Sequence, residues 1–146
     1  MPLLSRCFLK TAMLYFVVSS CLGGYLLIAV GLQHPTSPVL QPVYWHMLLV
    51  GWLMQLIFGV AYWMFPPLAG KPRPTHPSPR RPPAMMWFTY AALNVGLLLR
   101  VIVEPWHGVR PQPALGWLLV CSAALQVAAG WTFVITIWSR IRGRGQ

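Results

Sequence analysis

The sequence predicts an all-α membrane protein in which four transmembrane helices form one antiparallel bundle with both termini in the cytoplasm. Three observations lead to this fold class. Of the 146 residues, 57% are hydrophobic and 8% are charged, a composition that excludes an ordinary soluble domain. Four apolar runs of roughly twenty residues each are long enough to cross a hydrocarbon core about 30 Å thick. The positive charges are grouped in the segments that flank these runs.

The four helices are predicted at about 11–32, 43–65, 84–103 and 115–138. The first run is too long for a removed signal peptide, so we expect the first helix to be retained. The connection 66–83 is crowded with Pro, Lys and Arg, which predicts an extended, solvated loop. The other connections are short, so consecutive helices should be antiparallel neighbours within a single domain.

Orientation follows from the eleven Lys and Arg residues, which face a single acid, Glu104, and give a net charge of +10. The connection 33–42 carries no charge, whereas nine of the eleven cations fall on the other side of the four runs. These nine are Arg6, Lys10, Lys71, Arg73, Arg80, Arg81, Arg140, Arg142 and Arg144. The positive-inside rule therefore places both termini in the cytoplasm. Topology explains the charge without a nucleic-acid partner, and the basic loop favours membrane lipid with anionic headgroups instead.

An ionisable side chain lies at the start of the second run. His46 follows Tyr44 and Trp45, and the run ends at Pro66-Pro67 after further aromatic residues. Aromatic rings of this kind suit the two membrane interfaces. A histidine inside the bilayer marks a functional site by default. From the residues alone, His46 is a heme ligand, a ligand of another metal, or an interface histidine that only forms hydrogen bonds.

The same topology groups three of the four histidines on the outer side. His34 follows the first helix, His46 opens the second, and His107 follows the third. The remaining one, His76, falls in the loop 66–83 and reads as an exposed loop histidine.

The second run also matches a known pattern. Its histidine is followed by an apolar segment, a Gly-Trp pair, a Gly-Val-Ala-Tyr sequence and a proline ending. The matching residues are His46, Gly51, Trp52, Gly59, Tyr62 and Pro66. This helix resembles the second transmembrane helix of the catalytic subunit of heme-copper oxidases, the family that includes cytochrome c oxidase subunit I. The resemblance is greatest to the nitric oxide reductase and C-type oxidase branches and to short four-helix homologues of that subunit.

The resemblance implies a bound heme b. In the family the histidine at this point is an axial ligand of a low-spin heme, so it implies the same role for His46 and a place beside the cofactor for Gly51 and Trp52. A six-coordinate heme needs a second axial ligand. His107 is preferred, because Trp106 and nearby arginines can enclose its ring. His34 and a histidine of a second subunit are the alternatives.

Arg100 is the candidate for the charged edge of such a site. It lies in the outer turn of an otherwise apolar helix, where an unpaired charge is costly. Either it holds the heme propionates through charge-assisted hydrogen bonds, or it pairs with Glu104 at i+4 spacing or reaches the membrane surface.

The chain also departs from the family. The copper-binding histidines are missing, as are the glutamates that nitric oxide reductases place around a non-heme iron. Reduction of oxygen or nitric oxide is therefore not expected, and electron transfer is. The chain is long enough for one of the three four-helix arcs of the large subunit, so a homotrimer is favoured over a dimer. The alternative is a non-catalytic accessory subunit of a larger respiratory or photosynthetic complex. A bacterial inner membrane is the expected location.

Other chemistries are excluded by the residues present. Cys7, Cys21 and Cys121 are widely spaced, and no CxxCH motif for covalent heme attachment occurs. The chain has no Asp, no glycine-rich phosphate loop and no nucleophile beside an acid-base partner, which excludes a hydrolase or a nucleotide-driven enzyme.

Three polar residues fall near the middle of their predicted helices. Gln55, Asn94 and Gln126 are expected to face other helices and to form interhelical hydrogen bonds.

Overall fold

The chain folds into four helices, each long and apolar enough to cross a membrane. A computed structural model describes residues 1–35, 38–65, 84–138 and 140–141. Helices α1 to α4 span Leu3–Gly31, Leu40–Met64, Ala84–Val109 and Pro113–Trp138, and these residues include no strand. The predicted all-α, multi-pass membrane fold with four helices is thus confirmed. The predicted loop 66–83, including His76, lies outside the described residues.

Helix α1 begins at Leu3, eight residues before its predicted start at 11. Its 29 residues give a length of about 44 Å, more than the hydrocarbon core requires. The first turns carry the exposed cations Arg6 and Lys10. The helix was predicted to start after these charges. A helix can extend beyond the hydrocarbon core, however, because it satisfies its own backbone hydrogen bonds.

Helix α3 continues six residues beyond its predicted end at 103 and contains Pro105. The bound at 103 was predicted from the apolar run alone, and the helix continues although a proline removes one backbone donor and usually bends or ends a helix. The extra turn is packed against α2, because Gly108 lies so close to Val39 that a side chain on Gly108 would overlap it. This packing explains why the helix persists past the proline.

Helix α2 is regular at its two ends and widened in its middle. The segments Leu40–His46 and Gln55–Met64 are α-helical, and Met47–Met54 between them has π-helical, i to i+5, hydrogen bonding. Pro42 lies in the first turn, where its missing N–H has no helical acceptor. Helix α4 starts at Pro113, and proline at the first helical position is favoured for the same reason.

Helices α1 and α2 pack through aromatic side chains of one helix against glycines of the other. Tyr15 lies on Gly51 and Phe8 lies on Gly59, where an added Cβ would approach Tyr15 Cγ to 2.7 Å and Phe8 Cβ to 2.9 Å. Residue numbers rise along α1 as they fall along α2, so these two helices run in opposite directions. Small residues allow such close backbone approach, which is how helices associate in lipid.

Helices α3 and α4 are joined by hydroxyl groups. The Ser122 hydroxyl donates to the Gly96 carbonyl at 2.6 Å, and the Thr89 and Thr132 hydroxyls are 2.8 Å apart. Hydrogen bonds of this kind stabilise helix pairs in membranes by about 0.6 kcal/mol on average. The two pairs therefore fix how α4 lies along α3.

The predicted interhelical polar contacts are confirmed at two of the three residues. Gln55 Nε2 donates to Asn94 Oδ1 at 2.9 Å and thereby joins α2 to α3. Gln126 instead donates to Ser122 one turn earlier in its own helix. Gln126 does face α3, where its Cγ packs on Gly96, but the predicted interhelical hydrogen bond is replaced by one to Ser122 at i−4.

The two outermost helices leave most of their surface uncovered. In the most apolar stretch of α1 and of α4, only 17% of the residues are buried. The corresponding share in α3 is 39%. Within the described part of the chain, the backbones of α1 and α4 make no close approach to each other. The helices thus form an open arc, with apolar faces available to lipid or to another protein.

The glycine packing is testable by a one-carbon change. Gly51→Ala should lower the free energy of unfolding by about 1 to 3 kcal/mol, because the new methyl group overlaps the rigid ring of Tyr15. Reversible unfolding in mixed detergent micelles measures this difference. Gly130→Ala is the matched control, since a Cβ there meets no atom within 4 Å. Equal stability of the two variants would contradict the packing described.

Candidate functional site

The three histidines predicted on one side lie at one end of the helices, which we call the histidine end. His34 follows the end of α1, His46 lies in the second turn of α2, and His107 lies in the last turn of α3. The contact between Gly108 and Val39 holds the end of α3 against the start of α2. Two helix ends and one helix start therefore carry the three imidazoles.

His46 has a fixed ring orientation. Its Nδ1 atom lies 2.8 Å from the carbonyl oxygen of Pro42, one turn earlier. A carbonyl oxygen only accepts hydrogen bonds, so Nδ1 carries the proton and donates it. In the neutral ring the lone pair is then on Nε2, the atom that is left to bind a metal. Hydrogen bonds of this type from the second ring nitrogen orient histidines that ligate metals.

The position of His46 in its helix differs from the prediction. It was expected to open the helix, and it is the seventh residue of α2. The difference arises because the helix starts at Leu40 and accommodates Pro42 in its first turn. This extra turn provides the carbonyl that orients the ring. The spacing of four residues between Pro42 and His46 was the sequence signal for this contact.

The π-helical segment begins directly after His46 and contains Gly51 and Trp52. Short π-helical turns inside α-helices are frequent at functional sites. Gly51 is buried between Tyr15 and Leu97, and the Trp52 ring lies 4.6 Å from that of Phe16. The contacts described for Gly51 and Trp52 are thus with α1 and α3, so both residues support the helix that carries His46.

Arg100 forms an ion pair with Glu104 on the next turn of α3. Its Nε and Nη2 atoms lie 3.2 and 3.3 Å from the two carboxylate oxygens. The side chains are 24% and 16% exposed, and pairing spares each charge the cost of facing an apolar environment alone. Of the roles considered for Arg100, pairing with Glu104 is therefore the one that the structure contains. The propionate role stays a prediction.

His107 belongs to α3 rather than to the connection after it. Its Nε2 atom lies 3.8 Å from the point that a Cβ on Gly116 would occupy, so the ring lies beside the first turns of α4. The neighbouring Trp106 is 63% exposed, and the enclosing role expected of it stays a prediction. The prediction had ended α3 before these residues. Their extra helical turn points them to different sides.

His34 is held by its backbone at the end of α1. Its N–H donates to Ala29 O at 2.9 Å, and that of Gln33 donates to Val30 O at 3.1 Å. Gln33 has φ of 55°, and the two bonds form the Schellman motif that ends many helices. The imidazole of His34 is exposed. The backbone of His34 is thus fixed, while its side chain is accessible.

These observations test whether a heme fits the site. A heme iron needs one or two axial protein ligands, and the oriented imidazole of His46 meets this need. In the described part of the chain, no three His, Cys, Asp or Glu side chains lie together as a metal ion held by side chains alone would require. His46 thus offers one oriented imidazole donor, the kind of ligand that an axial position of a heme takes.

Comparison with known proteins adds no relative. No protein-family model matches the chain, and neither characterised proteins nor solved structures give a match. The resemblance of α2 to an oxidase helix therefore stays a sequence-based prediction.

The ion pair can be tested by removing one charge and then both. Glu104→Gln should lower the free energy of unfolding by about 1.5 to 3 kcal/mol, because Arg100 loses its charged partner. The double variant Arg100→Met with Glu104→Gln should recover most of this loss. Arg110→Gln, at an exposed position, serves as the control. A double variant as unstable as Glu104→Gln would contradict the pairing argument.

Proposed function

We propose that this chain is an integral membrane b-type heme protein that transfers electrons, with His46 as an axial ligand of the heme. The observation that supports this proposal is the hydrogen bond from His46 Nδ1 to the Pro42 carbonyl, which leaves Nε2 as the metal-binding atom. The resemblance of α2 to the heme-binding helix of heme-copper oxidases points to the same residue.

A low-spin heme, when bound, supplies one-electron transfer between its ferric and ferrous states. The role of His46 is to hold the iron and to donate a hydrogen bond from its other nitrogen to the Pro42 carbonyl, which keeps the ring in one tautomer. Arg100, although paired with Glu104, is the candidate proposed for the acidic edge of a heme. Gly51 and Trp52 support the helix beneath the ligand.

The second axial ligand is proposed to come from the histidine end. His107 is favoured, because the turn of α3 that carries it packs against the start of α2. His34 is the alternative within the chain, and a histidine of a second copy is the alternative outside it. A homotrimer is proposed because the open arc resembles one of three arcs of the oxidase subunit, and a dimer would also cover the open faces.

The accessory-subunit function is the second candidate. It is favoured by the uncovered faces of α1 and α4, since a protein that packs against other membrane subunits needs such surfaces. In this function His46 is a structural contact or binds a pigment. Both candidates place the chain in a bacterial inner membrane with cytoplasmic termini, as the charge distribution predicts.

The visible spectrum of the purified protein tests the first candidate. The dithionite-reduced wild type should show a sharp α band of low-spin heme, and His46→Ala should lose it. His76→Ala is the control, because this histidine is predicted on the opposite side of the membrane. A colourless wild type, produced with sufficient heme, would reject the heme function and leave the accessory subunit as the better candidate.

Spectra of two further variants identify the second ligand. His107→Ala should convert the heme to a five-coordinate form that binds carbon monoxide, because its sixth ligand is lost. His34→Ala should keep the low-spin spectrum. A low-spin spectrum in both variants would show that the ligand comes from elsewhere, and mixed oligomers of wild type and His107→Ala would then be the next measurement.

A further inference from the structure

Five polar side chains meet where α1, α2 and α3 pack together, near the middle of the helices. We call this group the polar cluster: Thr11, Tyr15, Gln55, Tyr90 and Asn94. The Thr11 and Tyr90 hydroxyls are 2.8 Å apart, and Gln55 and Asn94 are joined by their amides. The heme proposal uses none of these residues. The cluster lies about two turns below His46, so it is a separate feature of the fold.

The orientation of both amides follows from one backbone carbonyl. Asn94 donates from Nδ2 to the Tyr90 carbonyl at 2.9 Å, and a carbonyl can only accept. The nitrogen of Asn94 must therefore face Tyr90, and its oxygen must face Gln55. Gln55 then has to present its nitrogen to Asn94, as the 2.9 Å contact shows. Exchanging the oxygen and nitrogen of either amide would break these bonds.

This order leaves Gln55 Oε1 as an acceptor without a donor. The side chain of Gln55 is fully buried, and its Oε1 atom has no hydrogen-bond partner among the described residues. Burial of an unpaired polar atom away from water is costly, so buried acceptors in folded proteins are almost always satisfied by protein or by ordered water. A donor is therefore needed at this position.

Most polar groups of the cluster already have a partner. The Thr11 and Tyr90 hydroxyls are bonded to each other, which uses one of their two hydrogens, and each amide nitrogen makes one hydrogen bond. Only the Tyr15 hydroxyl makes no hydrogen bond to the described residues. Tyr15 lies on Gly51, one turn from Gln55 along α2.

Helix geometry places the Tyr15 hydroxyl at the level of Gln55. Side chains of an α-helix lean toward its N-terminus. Because α1 and α2 are antiparallel, moving from Tyr15 toward the N-terminus of α1 means moving from Gly51 toward Gly59 along α2. The hydroxyl of Tyr15 is thus displaced from Gly51 toward Gln55. It makes no hydrogen bond to Oε1, so a bridge between the two groups needs a small molecule that can both donate and accept.

We infer that the polar cluster binds a water molecule inside the membrane, held by Gln55 Oε1 as acceptor and by the Tyr15 hydroxyl as second partner. Water is the ligand of this chemistry and size that is always present, and buried waters typically make two to four hydrogen bonds to otherwise unsatisfied groups. The site is independent of the proposed heme and would exist in the heme-free protein.

Asn94 offers a single-site probe for this water, because it is the only asparagine in the chain and the chain has no aspartate. Protein labelled with ¹³C and ¹⁵N in asparagine alone is placed in lipid bilayers for solid-state NMR. Magnetisation transferred from water protons to the Asn94 side chain reports water beside Gln55. Rapid transfer is expected in the wild type. No transfer in the wild type would overturn the inference.

Variants establish which group holds the water. The transfer should be lost in Gln55→Leu and retained in Gln126→Leu, a glutamine that bonds within α4 away from the cluster. If Gln55→Leu does not fold, Tyr15→Phe serves instead, because it removes only the hydroxyl and should also reduce the transfer. Unchanged transfer in either Gln55→Leu or Tyr15→Phe would overturn the bridge between these two side chains.

Discussion

Contact between aromatic side chains of α1 and glycines of α2 is the constraint on which the rest of the fold depends. Lipid offers no hydrophobic gain for bringing two apolar helices together, so their association relies on close packing. The ring of Tyr15 fills the space above Gly51, and the Cβ of Phe8 lies on Gly59. This contact sets the depth of α2 in the arc, and with it the level of His46 and of the polar cluster.

The polar groups follow a simple order along the helices. Uncharged hydrogen bonds, such as Gln55 with Asn94, lie in the middle, and the one ion pair lies nearer the histidine end. Charges are expensive at membrane depth, so the carboxylate of Glu104, one turn from Arg100, neutralises a cation that lies inside α3. The other cations of the described residues lie at helix ends or in connections, where water and headgroups can reach them.

The number and order of the helices were predictable from the sequence, because each apolar run exceeds the membrane thickness and the runs are well separated. The ends were less predictable. Pro105 favoured an early end to α3, and only packing of Gly108 on Val39, a contact between distant parts of the chain, overrides that preference. At the site, His46 was found from its depth and its motif. The partner of Arg100 and the unpaired oxygen of Gln55 could not be predicted, because both depend on side-chain directions that a single sequence does not contain.

The π-helical segment also governs the direction in which the two halves of α2 face. An α-helix turns about 100° per residue, so a turn that takes in one residue more shifts the following face by about that angle. Residues 47–54 therefore set the angle about the helix axis between His46 and the C-terminal half of α2. That half is held by its contact with Phe8 and by the stacked rings of Phe58 and Phe133. Deleting one residue there would leave a continuous helix of nearly the same length, but the His46 imidazole would face a different direction around the axis of α2.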